Sequence, residues 1–157
     1  MLKQKHVLVT GGAGFLGAHL VDSLLERGAK VSVLDNLCAG LKSNLDPKAA
    51  FFLCDVSDIE SVRACLQDVE LIFHLAADAT TKESSMGWKT PARTFEVNAT
   101  GTLNVLQSIV DLNLDAKVVF ASSAAVYGEP MHTPINERHP TNPISPYGIS
   151  KLAGEKL

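Results

Sequence analysis

An excess of charge of either sign is missing from this sequence: 14 lysines and arginines stand against 17 aspartates and glutamates, a formal net charge of -3. A protein that holds nucleic acid or an anionic membrane surface electrostatically needs a basic patch, and this balance supplies none. No apolar run approaches the ~20 residues that span a bilayer. The start, MLKQKHVLVTGG, is basic, but its apolar stretch is short and broken by Thr10 and glycines, so it reads as a first strand and not as a secretory signal. The three cysteines, Cys38, Cys54 and Cys65, form no CxxC pair and are odd in number. They read as reduced thiols of a cytoplasmic protein, not as a disulfide framework. No internal repeat or low-complexity tract is present.

What is present suffices for one sizeable core: 157 residues, 46% hydrophobic. His6–Thr10 is apolar at nearly every position, as in a strand buried on both faces of a parallel sheet. From Phe15 to Arg27 the apolar residues fall at helical spacing, and Gly28 closes the helix. KVSVLD and AAFFLCD read as the next strands. A helix around SDIESVRACL follows, with Ser57 as its expected N-cap, and then the strand LIFHLAA. One long helix is expected from Pro91 onward, then a fifth strand, KVVFASS. A turn-rich stretch from Tyr127 to Ser145 holds four of the seven prolines, and Pro146 opens a last helix capped by Ser145. Strand and helix alternate with short connections, which predicts an α/β fold of the Rossmann type. Its doubly wound parallel sheet should have strand order 3-2-1-4-5.

The stretch TGGAGFLG places Gly11, Gly14 and Gly17 as GxxGxxG between the first strand and the first helix. Such a triplet alone is also satisfied by a tight turn with close helix–strand packing. In this context Gly11 permits the turn, Gly14 admits a pyrophosphate to the backbone, and Gly17 lets the helix approach the strand. The helix start then favours an anion. Asp35 ends the second strand about 20 residues on, where a carboxylate accepts hydrogen bonds from ribose hydroxyls and repels a 2′-phosphate. Asn36, not arginine, follows it, so NAD is expected over NADP. Asp55 ends the third strand, within reach of an adenine amino group. It reads almost as well as a helix-capping aspartate.

The motifs TGGAGFLG, LDNL, DV after the third strand, HLAA, VNATGTLNVL, SSAAVYG and YGISK occur in the order found in the extended short-chain dehydrogenase/reductase family. Within it the chain most resembles the nucleotide-sugar epimerases of the UDP-glucose 4-epimerase type. SSAAVYG carries Ala124 and Ala125 where the 4,6-dehydratases of the family carry an Asp–Glu pair, which favours epimerisation over elimination. Members are considerably longer, so the resemblance implies the N-terminal, NAD-binding portion of such an enzyme, without the substrate domain.

The resemblance assigns Ser123, Tyr147 and Lys151 to catalysis. Tyr147 and Lys151 are spaced i, i+4 and share one helix face, an arrangement that an ordinary solvated pair also meets. An unperturbed tyrosine, with a pKa near ~10, is a poor base at neutral pH. One positive charge at about 4 Å in an effective dielectric of roughly 20 is worth about 4 kcal/mol, or about three pKa units. The resemblance further places Phe15 and Leu16 beside the pyrophosphate, and Asn36, Leu37 and Gly40 at the adenosine end. Val56 flanks the adenine, Leu75, Ala76 and Ala77 lie below the nicotinamide, and Asn98 fixes a group near the site. Tyr147 and Lys151 also border the cofactor, while Thr80 and Ser123 face a nucleotide-sugar substrate, expected to be a UDP-sugar. His74 reads as a core histidine at a strand end. Trp88 reads as packing, and no metal site is expected. The two helices that begin at Pro91 and Pro146 are expected to form a homodimer surface in the full-length form. A non-catalytic truncated NAD-binding module, or another oxidoreductase of the family acting on a nucleotide sugar, are the competing readings.

Overall fold

In the first strand every side chain from Val7 to Thr10 is fully buried, because helices cover the sheet on both sides. The computed structural model describes residues 2–79 and 90–157; the expectations for Thr80 and Trp88 therefore fall outside the described residues. Five strands, β1 (His6–Thr10), β2 (Lys30–Asp35), β3 (Ala50–Leu53), β4 (Leu71–His74) and β5 (Lys117–Phe120), form one parallel sheet in the order β3-β2-β1-β4-β5. This is the order expected from the sequence. Alternate side chains of the central strands feed two cores. Val7, Val9, Val31 and Val33 pack with Val21 and Leu24 of helix α1 (Phe15–Glu26). Leu8, Leu34 and Ile72 pack with Val62 and Cys65 of α2 (Ile59–Cys65) on the opposite face. Val97 and Val105 join the second core from the long helical segment.

Helix ends follow from local chemistry. Gly28, at φ +79°, lets its own N–H reach the Leu25 carbonyl and that of Ala29 reach Leu24, which satisfies the last carbonyls of α1. At α2 the cap is Asp58, whose carboxylate accepts from the Glu60 N–H. Ser57 is not the cap, because its N–H and hydroxyl both donate to Asp55 Oδ1. The last helix, α5 (Pro146–Lys156), is capped as expected: Ser145 Oγ accepts from the Gly148 N–H.

The long helix differs from a single regular α-helix. It runs as α3 (Pro91–Phe95), a π turn over Glu96–Thr100, and α4 (Gly101–Asp111). The wider turn brings both Val97 and Asn98 inside. Gly101 then lies against Val56, where a Cβ would stand 2.6 Å from Val56 Cγ2.

A buried polar chain joins this segment to the sheet. Ala76 N–H donates to Thr10 Oγ1, and Thr10 Oγ1 pairs with His74 Nδ1 at 2.7 Å. His74 Nε2 pairs with Thr102 Oγ1 at 3.0 Å, and Thr102 Oγ1 donates to the Asn98 carbonyl. Because Thr102 spends its proton on Asn98, His74 carries its own on Nε2 and accepts the Thr10 hydroxyl at Nδ1. His74 is thus a core histidine. Burial, aided by the Lys151 charge, holds its pKa down to about 3. With the folded pKa below the unfolded value near ~6.5, the unfolded chain takes the proton first. His74 therefore supports the fold fully above pH ~6.5, and that support is lost as pH falls toward 3. Urea unfolding at pH 7 and pH 4 should show His74→Gln less stable than the parent at pH 7 and losing less stability on acidification.

Candidate active site

The carboxyl ends of the strands open into a cavity of about 420 Å³. Its lining includes ten residues expected to hold a cofactor: Gly11, Gly14, Asp35, Asn36, Gly40, Asp55, Val56, Leu75, Ala76 and Ala77. Gly11 turns the chain at φ +69° and is pinned by its N–H to the Leu34 carbonyl. A Cβ on Gly17 would meet the Gly11 carbonyl at 2.3 Å, so only glycine lets α1 begin this close to β1. A Cβ on Gly14 would meet only the Gly11 oxygen, at 3.3 Å, which leaves the backbone there open to a ligand. Gly14 is also the N-cap of α1 and brings no side chain to its first N–H groups. Phe15 and Leu16 lie just outside this mouth and are exposed at 78% and 70%. Gly40 locks the following loop onto Ala13, where a Cβ would come within 2.6 Å of backbone.

Two of the cavity's three aspartates, Asp35 and Asp55, differ in what they have left to offer. Asp35 Oδ2 accepts from the Ala13 N–H and Oδ1 from the Leu37 N–H, so among the described residues two of its four acceptor sites are used. Leu37 makes that contact from a left-handed backbone, φ +58°, and does not line the cavity. Asp55 is filled: Oδ1 takes the N–H and hydroxyl of Ser57, and Oδ2 takes Asn36 Nδ2 at 2.8 Å and Arg93 Nη2 at 2.6 Å. Burial raises the Asp55 pKa, but the bonds from Ser57, Asn36 and Arg93 outweigh it and hold the carboxyl well below the usual range.

Ser123, Tyr147 and Lys151 stand at the end of β5 and on α5, outside the lining of that cavity. Ser123 caps a short 3-10 turn, Ala124–Val126, with Oγ accepting from the Ala125 N–H at 3.2 Å. Gly148 lets α5 close on this turn; a Cβ there would stand 2.5 Å from the Ala125 carbonyl. Lys151 is only 2% exposed. Its Nζ donates to the Ala121 carbonyl at 2.9 Å and lies 4.8 Å from the Phe120 ring centre. Burial alone lowers its pKa from 10.5 to about 8.

Asn98 joins the two regions. Its Oδ1 accepts from the Asp78 N–H, and its Nδ2 donates to the Asp78 carbonyl and to Ser150 Oγ on α5. Asn98 thus holds the loop after β4, although it does not line the cavity. Sequence reasoning missed Arg93, Cys38, Cys54, Asp78 and Val97 in the lining. Arg93 has Glu96 at i+3 as its evident partner, and nothing near it in sequence signals a second, inward one. Cys54, half-buried, touches Cys65 at Sγ–Sγ 3.6 Å, a pairing that spacing does not reveal.

The sequence profile of the NAD dependent epimerase/dehydratase family matches residues 7–157, almost the whole chain. The chain belongs to that family. A UDP-glucose 4-epimerase of Lactobacillus helveticus is 42% identical over 153 residues, 96% of this chain and 45% of its own. The crystal structure of Thermus thermophilus UDP-glucose 4-epimerase in complex with NAD superposes with a TM-score of 0.87 at 41% identity, over 96% of this chain and 49% of that one. The Thermotoga maritima UDP-glucose 4-epimerase with UDP-glucose gives 0.88 at 37% identity, over 96% and 49%. The chain therefore spans about half the length of the epimerases it matches.

The Lys151 shift makes a prediction. The folded pKa lies below the unfolded one, so stability contributed by this residue is lowest below pH 8 and rises between pH 8 and 10.5, as the folded state releases a proton that the unfolded chain keeps. The parent should gain about 3 kcal/mol relative to Lys151→Met across that window in denaturant titrations. Parallel pH profiles would overturn it.

Proposed function

We propose that this chain is the NAD-binding, catalytic-base portion of a nucleotide-sugar 4-epimerase acting on UDP-glucose or a close relative. The sugar pocket would be completed by residues beyond this span. One observation carries the reading: a glycine-lined anion mouth and a half-satisfied Asp35 share one cavity, and Asn98 ties its rim to the helix that buries Lys151 one turn from Tyr147. The residues fit a dinucleotide. The open backbone at Gly14 suits the pyrophosphate, and the two spare acceptor sites of Asp35 match the two hydroxyls of the adenosine ribose. When bound, NAD⁺ would accept hydride from the sugar carbon and return it to the other face. Tyr147 would take the proton of the sugar hydroxyl, Ser123 would hydrogen-bond the same oxygen, and Lys151 would supply the positive charge that favours the tyrosinate.

Phe95 and Leu103 on the long helical segment and Ile149 on α5 are exposed, which supports pairing of two copies through these helices. The cytoplasmic assignment is part of the same reading. Among the described residues no helix is long and apolar enough to cross a membrane.

Asp35 should decide cofactor choice. Equilibrium titration should give NAD at least about tenfold tighter than NADP, and Asp35→Asn should shrink that ratio; equal affinities for the parent would remove Asp35 from the ribose.

In the full-length enzyme, Tyr147→Phe should lower kcat for conversion of UDP-galactose to UDP-glucose by at least about a hundredfold. NAD should remain bound, because the ring still packs. Near-parental turnover would exclude Tyr147 as the base.

A further inference from the structure

Two thiols meet beside the cavity, and the proposed function uses neither. Cys54 directly follows β3 and lines the cavity next to Asp55. Its N–H donates to the Asp35 carbonyl, so the sheet fixes its place. Cys65 ends α2 and is 3% exposed, in the core that also holds Leu8, Leu34, Val62 and Ile72. The two Sγ atoms stand 3.6 Å apart, and both cysteines are free. A disulfide needs about 2.05 Å, so a closure of roughly 1.5 Å separates this contact from a bond. The two ends are unequal. Cys54 is half-buried and opens on the cavity, whereas the core encloses Cys65. Burial, with the Cys54 thiol beside it, pushes the Cys65 thiol up to about 12, so at neutral pH Cys65 is protonated and Cys54 is the member open to reagents.

We propose that Cys54 and Cys65 form a reversible thiol–disulfide site entered from the cavity: a small disulfide reacts at Cys54, and Cys65 resolves the adduct. The site does not depend on the cofactor reading. In the first step Cys54 gives its proton to solvent and its sulfur attacks one sulfur of the small disulfide RSSR. A Cys54–S–S–R bond forms, the S–S bond of RSSR breaks, and RS⁻ leaves and takes up a proton. In the second step Cys65 gives its proton to solvent and its sulfur attacks Cys54 Sγ. The mixed disulfide breaks, and a second RS⁻ leaves and is protonated. Two cysteine thiols are thus oxidised to one disulfide, and RSSR is reduced to two RSH. A thiol of pKa about 12 is only about one part in 10⁵ thiolate at pH 7. An effective molarity of about 10⁵ M for a group already in contact with its target still leaves ~1 M of reactive thiolate, far above what millimolar free thiol presents. An R group held on Cys54 occupies the cavity, and the second step clears it. The reduced pair is the resting state.

The test is peptide mapping. The full-length protein is incubated with oxidised glutathione at neutral pH, remaining thiols are alkylated, and unreduced tryptic peptides are analysed by mass spectrometry. Trypsin cuts after Arg63, between the two cysteines, so they share a peptide mass only when bonded. The parent is expected to give the Cys54–Cys65 linked peptide in at least about tenfold excess over peptides carrying glutathione on either cysteine. Dithiothreitol should abolish the linked mass. Cys65→Ala should keep glutathione on Cys54, because nothing resolves it. Cys54→Ala should leave Cys65 unmodified. Absence of the linked peptide from the parent overturns the proposal, whatever the variants do. Glutathione on Cys65 in Cys54→Ala overturns it also, since entry would not run through Cys54. A bond from Cys54 to Cys38 in place of Cys65 would overturn the pairing.

Discussion

Asn98 holds the cavity rim and the last helix in one frame. One side chain clamps both backbone groups of Asp78, on the rim of the cavity, and reaches Ser150 on the helix that carries Tyr147 and Lys151. Ser150 passes the link on by donating to the Tyr147 carbonyl. Asn98 is 1% exposed, so each of these bonds replaces water that cannot enter, and losing the side chain would strand several buried groups at once. The loop after β4 is irregular backbone, and this clamp, together with the bond from Thr94 Oγ1 to the Asp78 carboxylate, fixes it against the helices.

The clamp depends on the π turn, and the π turn depends on the sheet. A regular helix through 96–100 would rotate successive residues by 100°, whereas the wider turn keeps Val97 in the core and Asn98 at the rim together. The Asn98 carbonyl is held by Thr102, Thr102 by His74, and His74 by Thr10, which also receives the Ala76 N–H. Every donor in this series is matched to an acceptor in one direction, so the chain tolerates a fully buried imidazole without a charge. The strand ends, the loop that lines the cavity and the helix that carries Tyr147 are therefore positioned by one polar connection through the core.

The architecture was legible in the sequence because it rests on local signals that leave few alternatives. Apolar runs such as HVLVT are readable as doubly covered strands. Gly11, Gly14 and Gly17 are readable because a side chain at the last of these would collide with backbone. What was not legible depends on geometry set at a distance. The cap of α2 passed from Ser57 to Asp58 because Asp55 engages Ser57 first. The π turn left no trace in the apolar pattern, since five residues are too few to distinguish periods of 3.6 and 4.4. Asp55 was readable as a strand-end carboxylate, but its saturation required knowing that Arg93 folds back from a helix far along the chain. Tyr147 and Lys151 were readable as neighbours on one face, whereas the near-complete burial of the lysine was not, because it comes from Phe120 and the Ala121 carbonyl.

That burial has a consequence for the chemistry at the mouth of β5. A lysine with a carbonyl and an aromatic face as partners, and among the described residues no carboxylate, is a cation the fold accommodates at a loss. Structural economy alone would place methionine there, with the same stem and no charge. The loss is recovered only when negative charge forms beside the ammonium, because the interaction that stabilises an anion stabilises the cation equally. At neutral pH, below a pKa of about 8, Lys151 is still largely protonated, so the charge is available where it is held at a cost. A helix start anchored by Ser145, a glycine contact at Gly148 and the Asn98 clamp keep that charge from relaxing toward water. On the proposed reading, the site would be stressed in its resting form and relieved by the tyrosinate formed at Tyr147.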